Sequence, residues 1–175
     1  MRRGISGFTI VELLIVIVVI GILASITVVA YNGVQQRARN VARLTNVNSW
    51  IDLFEIYRAA NGRYPSVPEG DYCLGTDFPP GLDGQPRCRN LDTNSPTVSY
   101  LQSGNTALMN ALKTVGSLPR NEHGGVNWIA GPYVHTWDGG YYLTQVFQGG
   151  AGNCPAGFNQ DWVSGTGVVL CGIEK

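Results

Sequence analysis

Glu12 is the residue best placed to do chemistry, because of what surrounds it. It is the one charged residue in Phe8–Ala30, a run of 23 residues that is otherwise mostly apolar. An ionised carboxylate inside a bilayer core costs about 2.5–3.5 kcal/mol on insertion scales. At that depth it either reaches the headgroups or awaits a cation. No Lys or Arg follows it within two helical turns, and the nearest positive groups are Arg2, Arg3 and any amine that chain cleavage creates. Such a carboxylate suits pairing rather than turnover. An acid and an ammonium, each costly alone in lipid, neutralise one another when they meet.

Other constellations are weak. His123 and His135 have no Ser or Cys partner pattern and read as surface or strand residues. Asp71, Asp77, Asp83 and Asp92 are carboxylates that a Ca²⁺ ion could use, but their spacing fits no calcium-loop signature. No glycine-rich phosphate loop opens a helix. We therefore expect no catalytic residue, no metal, no cofactor and no enzyme activity. The 12 basic and 12 acidic residues cancel, which argues against a strongly basic nucleic-acid binder. Arg37, Arg39 and Arg43 read as a solvated helix face, with contact to another subunit, acidic lipid or DNA as the sharper alternative. DNA binding has no further support.

The elements that must position Glu12 follow from the pattern around it. A helix over Phe8–Ala30 rises about 34 Å, enough for a bilayer core of about 30 Å. A secretory signal peptide is the rival. It would be shorter, free of acid, and closed by a small-x-small site, whereas Ala24 and Ser25 sit inside the continuing apolar stretch. Val34, Ala38, Val41, Leu44, Val47, Ile51 and Phe54 continue at spacings of three and four, with Trp50 and Tyr57 beside them. That is an amphipathic helix. Asn61-Gly62 supply a left-handed cap and Pro65 follows, so the helix should end near Ala60. Gly21 and the β-branched Ile26–Val29 weaken it locally, but no Pro precedes Pro65, and an unkinked helix is expected.

With these residues in view, the N-terminus resembles that of type IV prepilins. Gly7 followed by Phe8-Thr9-Ile10-Val11-Glu12-Leu13 is similar to the family's processing site, and Gly21, Leu23, Ala24 and Tyr31 match further recurrent positions. The resemblance is tight over residues 4–31 and departs from the family at Val29, where a Pro is often found. It implies a leader of residues 1–7, cut between Gly7 and Phe8 by prepilin peptidase on the cytoplasmic side. It also implies N-methylation of Phe8, and Glu12 as the assembly acid, which would meet the new amine of a neighbouring subunit and so fix the axial register. Residues 8–30 become the spanning and filament-core helix, 31–60 its amphipathic continuation, and 61–175 the head. The leader also decides orientation, because Arg2-Arg3 and the Arg37–Arg43 cluster leave the positive-inside count ambiguous. The implied function is a structural subunit of a type IV pilus serving adhesion, motility or DNA uptake. Its partners would be itself, the peptidase, and an assembly ATPase with its platform. It would sit in the membrane with its head outside the cytoplasm, then in an extracellular pilus. The alternatives are a pseudopilin of a type II secretion or competence system, and a monomeric membrane-anchored binding domain.

The expected fold is α+β, a long N-terminal helix packed on a small antiparallel sheet. All 9 Pro and most of the 23 Gly lie in residues 61–175, which hold 6 basic and 9 acidic residues. Ser103–Gly116 reads as a short helix. Val126–Trp137 and Tyr141–Gln148 read as a hairpin through Asp138-Gly139-Gly140, and Val168–Ile173 as a last strand. Trp128, Trp137, Tyr133, Tyr141 and Tyr142 should be sheet core and cross-strand pairs, with an exposed adhesive face as the alternative. Ser95, Thr97 and Ser99 are glycan acceptors only by residue type. Cysteines outside the cytosol favour disulfides. Cys73–Cys88 and Cys154–Cys171 close loops of about 15 residues, the second resembling the family's C-terminal disulfide loop. The nested set, Cys73–Cys171 with Cys88–Cys154, stays open.

Overall fold

The computed structural model describes residues 9–76, 78, 86–89, 100–101, 105–120, 131–150, 152–164 and 167–175. The order is α1 (Ile10–Asn61), β1 (Gly70–Cys73), β2 (Arg87–Arg89), β3 (Tyr100–Leu101), α2 (Thr106–Lys113), β4 (Tyr133–Trp137), β5 (Gly140–Gln148), β6 (Asn159–Ser164) and β7 (Val168–Glu174). The fold is α+β and pilin-like. Five antiparallel strands form one sheet in the order β1-β4-β5-β7-β6, and β2 pairs with β3 separately. Two compact units divide the chain, Met1–Ala38 and Arg39–Lys175.

In the first unit, every described side chain from Thr9 to Thr27 is exposed. The helix assignment is unbroken through Gly21 and Val29, as the missing proline predicts. Ser25 and Thr27 turn their hydroxyls back on their own helix, Ser25 Oγ to Ile22 O at 2.7 Å and Thr27 Oγ1 to Ala24 O at 2.9 Å. Both hydroxyls thus have an acceptor within the helix, as hydrocarbon surroundings require.

The second unit begins inside α1. Val47, Trp50, Leu53 and Phe54 are buried against Leu74, Leu108, Met109, Leu112, Val134, Tyr141 and Leu143. Tyr141 stacks on Phe54 at 4.4 Å and meets Tyr64 edge-on at 5.0 Å. Strand alternation puts Tyr141 and Leu143 on this face. Val146, with Val168, Leu170 and Tyr133, lies on the other, under Phe78 and the Cys73–Cys88 pair. The helix ends as its cap residues dictate: Gly62 adopts φ +75° and its N–H donates to Arg58 O at 2.8 Å.

The buried face of α1 is rotated from the expected stripe. Val34 and Val41 stay 65% and 63% exposed, while Arg43, read as part of a solvated face, and the polar Asn46 are only 3% and 7% exposed. The head covers α1 only along the part that touches it, and Arg43 and Asn46 fall there. The hairpin is present, with Trp137 paired to Gly140 across Asp138-Gly139 and Gly139 at φ +92°. The short helix covers Thr106–Lys113. Residues 121–130, with His123, Trp128 and the first part of the expected strand, lie outside the described residues. Gly70–Cys73 and Asn159–Ser164, not among the expected strands, are the sheet's two edge strands.

Candidate functional site

Thr9 and Glu12 meet at the start of α1. Thr9 N–H donates to Glu12 Oε2 at 2.8 Å and Thr9 Oγ1–H donates to the same oxygen at 2.7 Å. Glu12 N–H lies 3.3 Å from Thr9 Oγ1. Threonine before the first helical residue and glutamate three positions on form a capping box. Glu12 is therefore not bare in the isolated chain. It satisfies helix-terminal donors while remaining exposed, one turn inside the apolar block. The Thr-x-x-Glu spacing is readable in the sequence, and reading Glu12 for its charge alone missed it. Gly7 and Phe8, the expected cleavage and methylation positions, lie outside the described residues.

The head holds its shape through two disulfides, Cys73–Cys88 with Cα atoms 5.5 Å apart and Cys154–Cys171 with Cα atoms 5.6 Å apart. The first joins β1 to β2, and both its sulfurs are buried. The second ties the turn before β6 to β7. Asn40 of α1 clamps the end of β5, donating Nδ2 to Gln148 O at 2.6 Å and accepting Gln148 N–H at 2.9 Å.

The remaining candidates do not converge. His135 Nδ1 stands 3.1 Å from Asp71 Oδ1 on the half-exposed edge between β1 and β4. Asp77, Asp83, Asp92, Ser95, Thr97 and Ser99 lie outside the described residues. Among the described residues no group of three His, Cys, Asp or Glu side chains is placed to hold a metal ion. Tyr133 and Tyr141 are buried and Trp137 and Tyr142 are half-buried. Tyr142 donates to Asp161 across Gly172, where any Cβ would strike the tyrosine ring. Burial, reinforced by that hydrogen bond, pushes the Tyr142 hydroxyl well above the usual tyrosine range.

A helix start of this kind, on a helix whose second half carries a small antiparallel sheet, defines a pilin-like protein. Among the described residues α1 is the one helix long and apolar enough to cross a membrane. The prokaryotic N-terminal methylation motif matches residues 2–28. The type II secretion system core protein G of Pectobacterium carotovorum is 31% identical over 96 residues, 55% of this chain and 56% of that protein. The protein of the same name from Aeromonas hydrophila is 33% identical over 69 residues, 39% of this chain and 48% of that protein. That from Vibrio cholerae is 31% identical over 71 residues, 41% of this chain and 49% of that protein. The chain thus spans about half the length of the curated relatives it matches. No solved structure matches it. The chain thus carries the N-terminal methylation motif, and over about half its length it is similar to type II secretion system core protein G.

Proposed function

We propose that this protein is a pseudopilin, a filament-forming subunit of a type II secretion-like system that acts by assembly and not by catalysis. The observation that carries the choice is the repeated match to relatives named type II secretion system core protein G. They favour this reading over the pilus subunit that the N-terminal resemblance first suggests. In it, prepilin peptidase removes residues 1–7 and methylates Phe8, and the subunit waits in the membrane with its head outside the cytoplasm. The new α-amine is cationic at neutral pH. It replaces Thr9 as the partner of Glu12 when a neighbouring subunit is added. The capping box supports this sequence of events, because it gives the carboxylate a partner before assembly. The exposed apolar surface of Ile10–Ile26 is then buried between subunits.

The test compares cells carrying the wild-type chain, Glu12→Ala, or no chain. The pseudopilin reading expects export of secreted proteins to fail in the last two, with surface pili unchanged in all three. Loss of surface pili with normal export would assign the chain to a pilus instead. Normal export with Glu12→Ala would remove Glu12 from assembly.

A further inference from the structure

The five strands of the main sheet contain no Lys or Arg. Against that background three cations line one cavity of about 770 Å³ at the C-terminal end of α1. Arg58 comes from the last turn of the helix, Arg63 from the loop after it, and Lys175 from beyond β7. The volume lies in the range of small-ligand sites, about 300–1,000 Å³.

Each cation is placed by a separate device. Arg58 donates Nη1 to Tyr64 Oη at 3.2 Å and lies 5.2 Å above the Tyr64 ring. Its second partner is Glu55, at 3.7 Å. Gly62, at φ +75°, ends the helix and turns the chain into Arg63. The Lys175 backbone is pinned to Tyr141 by two hydrogen bonds of 3.0 Å, one in each direction. Gly140 lets the walls close: a Cβ there would come within 2.8 Å of both the Trp137 ring and Lys175 O. Half-buried Trp137 thus forms an aromatic wall beside the cations. Glu69 and Asp138 also line the cavity, yet among the described residues neither Arg63 nor Lys175 makes an ion pair. With Glu55 beside Arg58, three carboxylates accompany the three cations, so the two unpaired cations, Arg63 and Lys175, mark the cavity.

We propose that this cavity binds an oxyanion, carboxylate or phosphate, on a ligand whose apolar part lies along Trp137. Arg63 and Lys175 hold the oxyanion through charge-assisted hydrogen bonds, the guanidinium offering two parallel donors. Arg58, already turned toward Tyr64, adds its charge. Glu69 and Asp138 accept from hydroxyl or ammonium groups on the same ligand. A free small molecule and a lipid headgroup share this chemistry.

The test uses the full ¹⁵N-labelled chain in non-ionic detergent micelles, titrated with acetate, inorganic phosphate and glycerol phosphate. A parallel arm places it in nanodiscs with and without phosphatidylglycerol. We expect saturable shifts of the Trp137 indole and the Gly139 and Lys175 amides. Shifts with the soluble anions point to a free ligand, and shifts only with phosphatidylglycerol to a headgroup; either supports the site. Arg63→Gln combined with Lys175→Gln should weaken binding by about tenfold or more, the loss of one charge-assisted hydrogen bond or more. Arg37→Gln, outside the cavity, should leave it unchanged. Both replaced side chains are exposed, so the variant head should keep its spectrum. The absence of saturable shifts with every probe, or binding that survives the double substitution, would overturn the proposal.

Discussion

Replacing Asn40 with alanine should measure what holds the helix to the sheet. Its side chain makes two hydrogen bonds with the backbone of Gln148, at 2.6 and 2.9 Å, in a part-buried position. Alanine removes both and leaves a backbone donor and acceptor at the end of β5 without partners. A typical hydrogen bond contributes about 0.5–1.5 kcal/mol net, and a stranded buried partner costs more. Partial access of water keeps the sum near the lower end, about 2 kcal/mol. For a unit the size of Arg39–Lys175, that corresponds to a fall in Tm of about 5–8 °C. Fluorescence of the fully buried Trp50 during urea unfolding of the full chain in detergent, with disulfides intact, reads the loss. Asn40→Asp is the informative companion. It keeps an acceptor for Gln148 N–H but sets a carboxylate against Gln148 O, so it should lose at least as much as alanine. A change under about 0.5 kcal/mol in both variants, within the range of an ordinary surface substitution, would refute the clamp.

Tyr141→Phe should be neutral or stabilise by up to about 1 kcal/mol, because the buried hydroxyl has no partner among the described residues; thermal unfolding at pH 7 checks it. Burial raises the hydroxyl pKa of both Tyr141 and Tyr142. The unfolded chain ionises its tyrosines near pH 10, so this contribution is complete below that pH and is lost as pH rises above it. Urea midpoints from pH 8 to 11 should fall above 10, less steeply in Tyr141→Phe. Removing Cys73–Cys88 or Cys154–Cys171 by paired alanines should each cost about 3 kcal/mol from separations of 15 and 17 residues. The first should cost more, since both its cysteines are fully buried whereas Cys154 is part-exposed. On graded reduction, alkylation should reach Cys154 and Cys171 first. Thr9→Val should weaken the helix start by about 1 kcal/mol and speed amide exchange at Val11 and Glu12, whereas Thr9→Ser should not.

The long helix, the hairpin and the last strand were legible because each carries a strong local signal. Those signals are an apolar run without proline, a cap at Asn61-Gly62, an Asp-Gly turn and a β-branched run. The two edge strands were not. Gly70–Cys73 and Asn159–Ser164 have no hydrophobic alternation, and they are strands because a central neighbour offers them a ladder. The rotation of α1 was hidden for a similar reason. Arg43 and Asn46 are polar by type but lie where the head covers the helix. At the helix start, charge alone singled out Glu12, and its partnership with Thr9, legible in the Thr-x-x-Glu spacing, was passed over.

The most direct test is the mass of the N-terminal peptide of the protein purified from its own cells. Cleavage and methylation predict a chain that begins at Phe8 and is one methyl group heavier there. A mature chain that retains Met1–Gly7, or that begins at Phe8 without the methyl group, would contradict the proposed processing and, in the first case, the pairing of a new amine with Glu12.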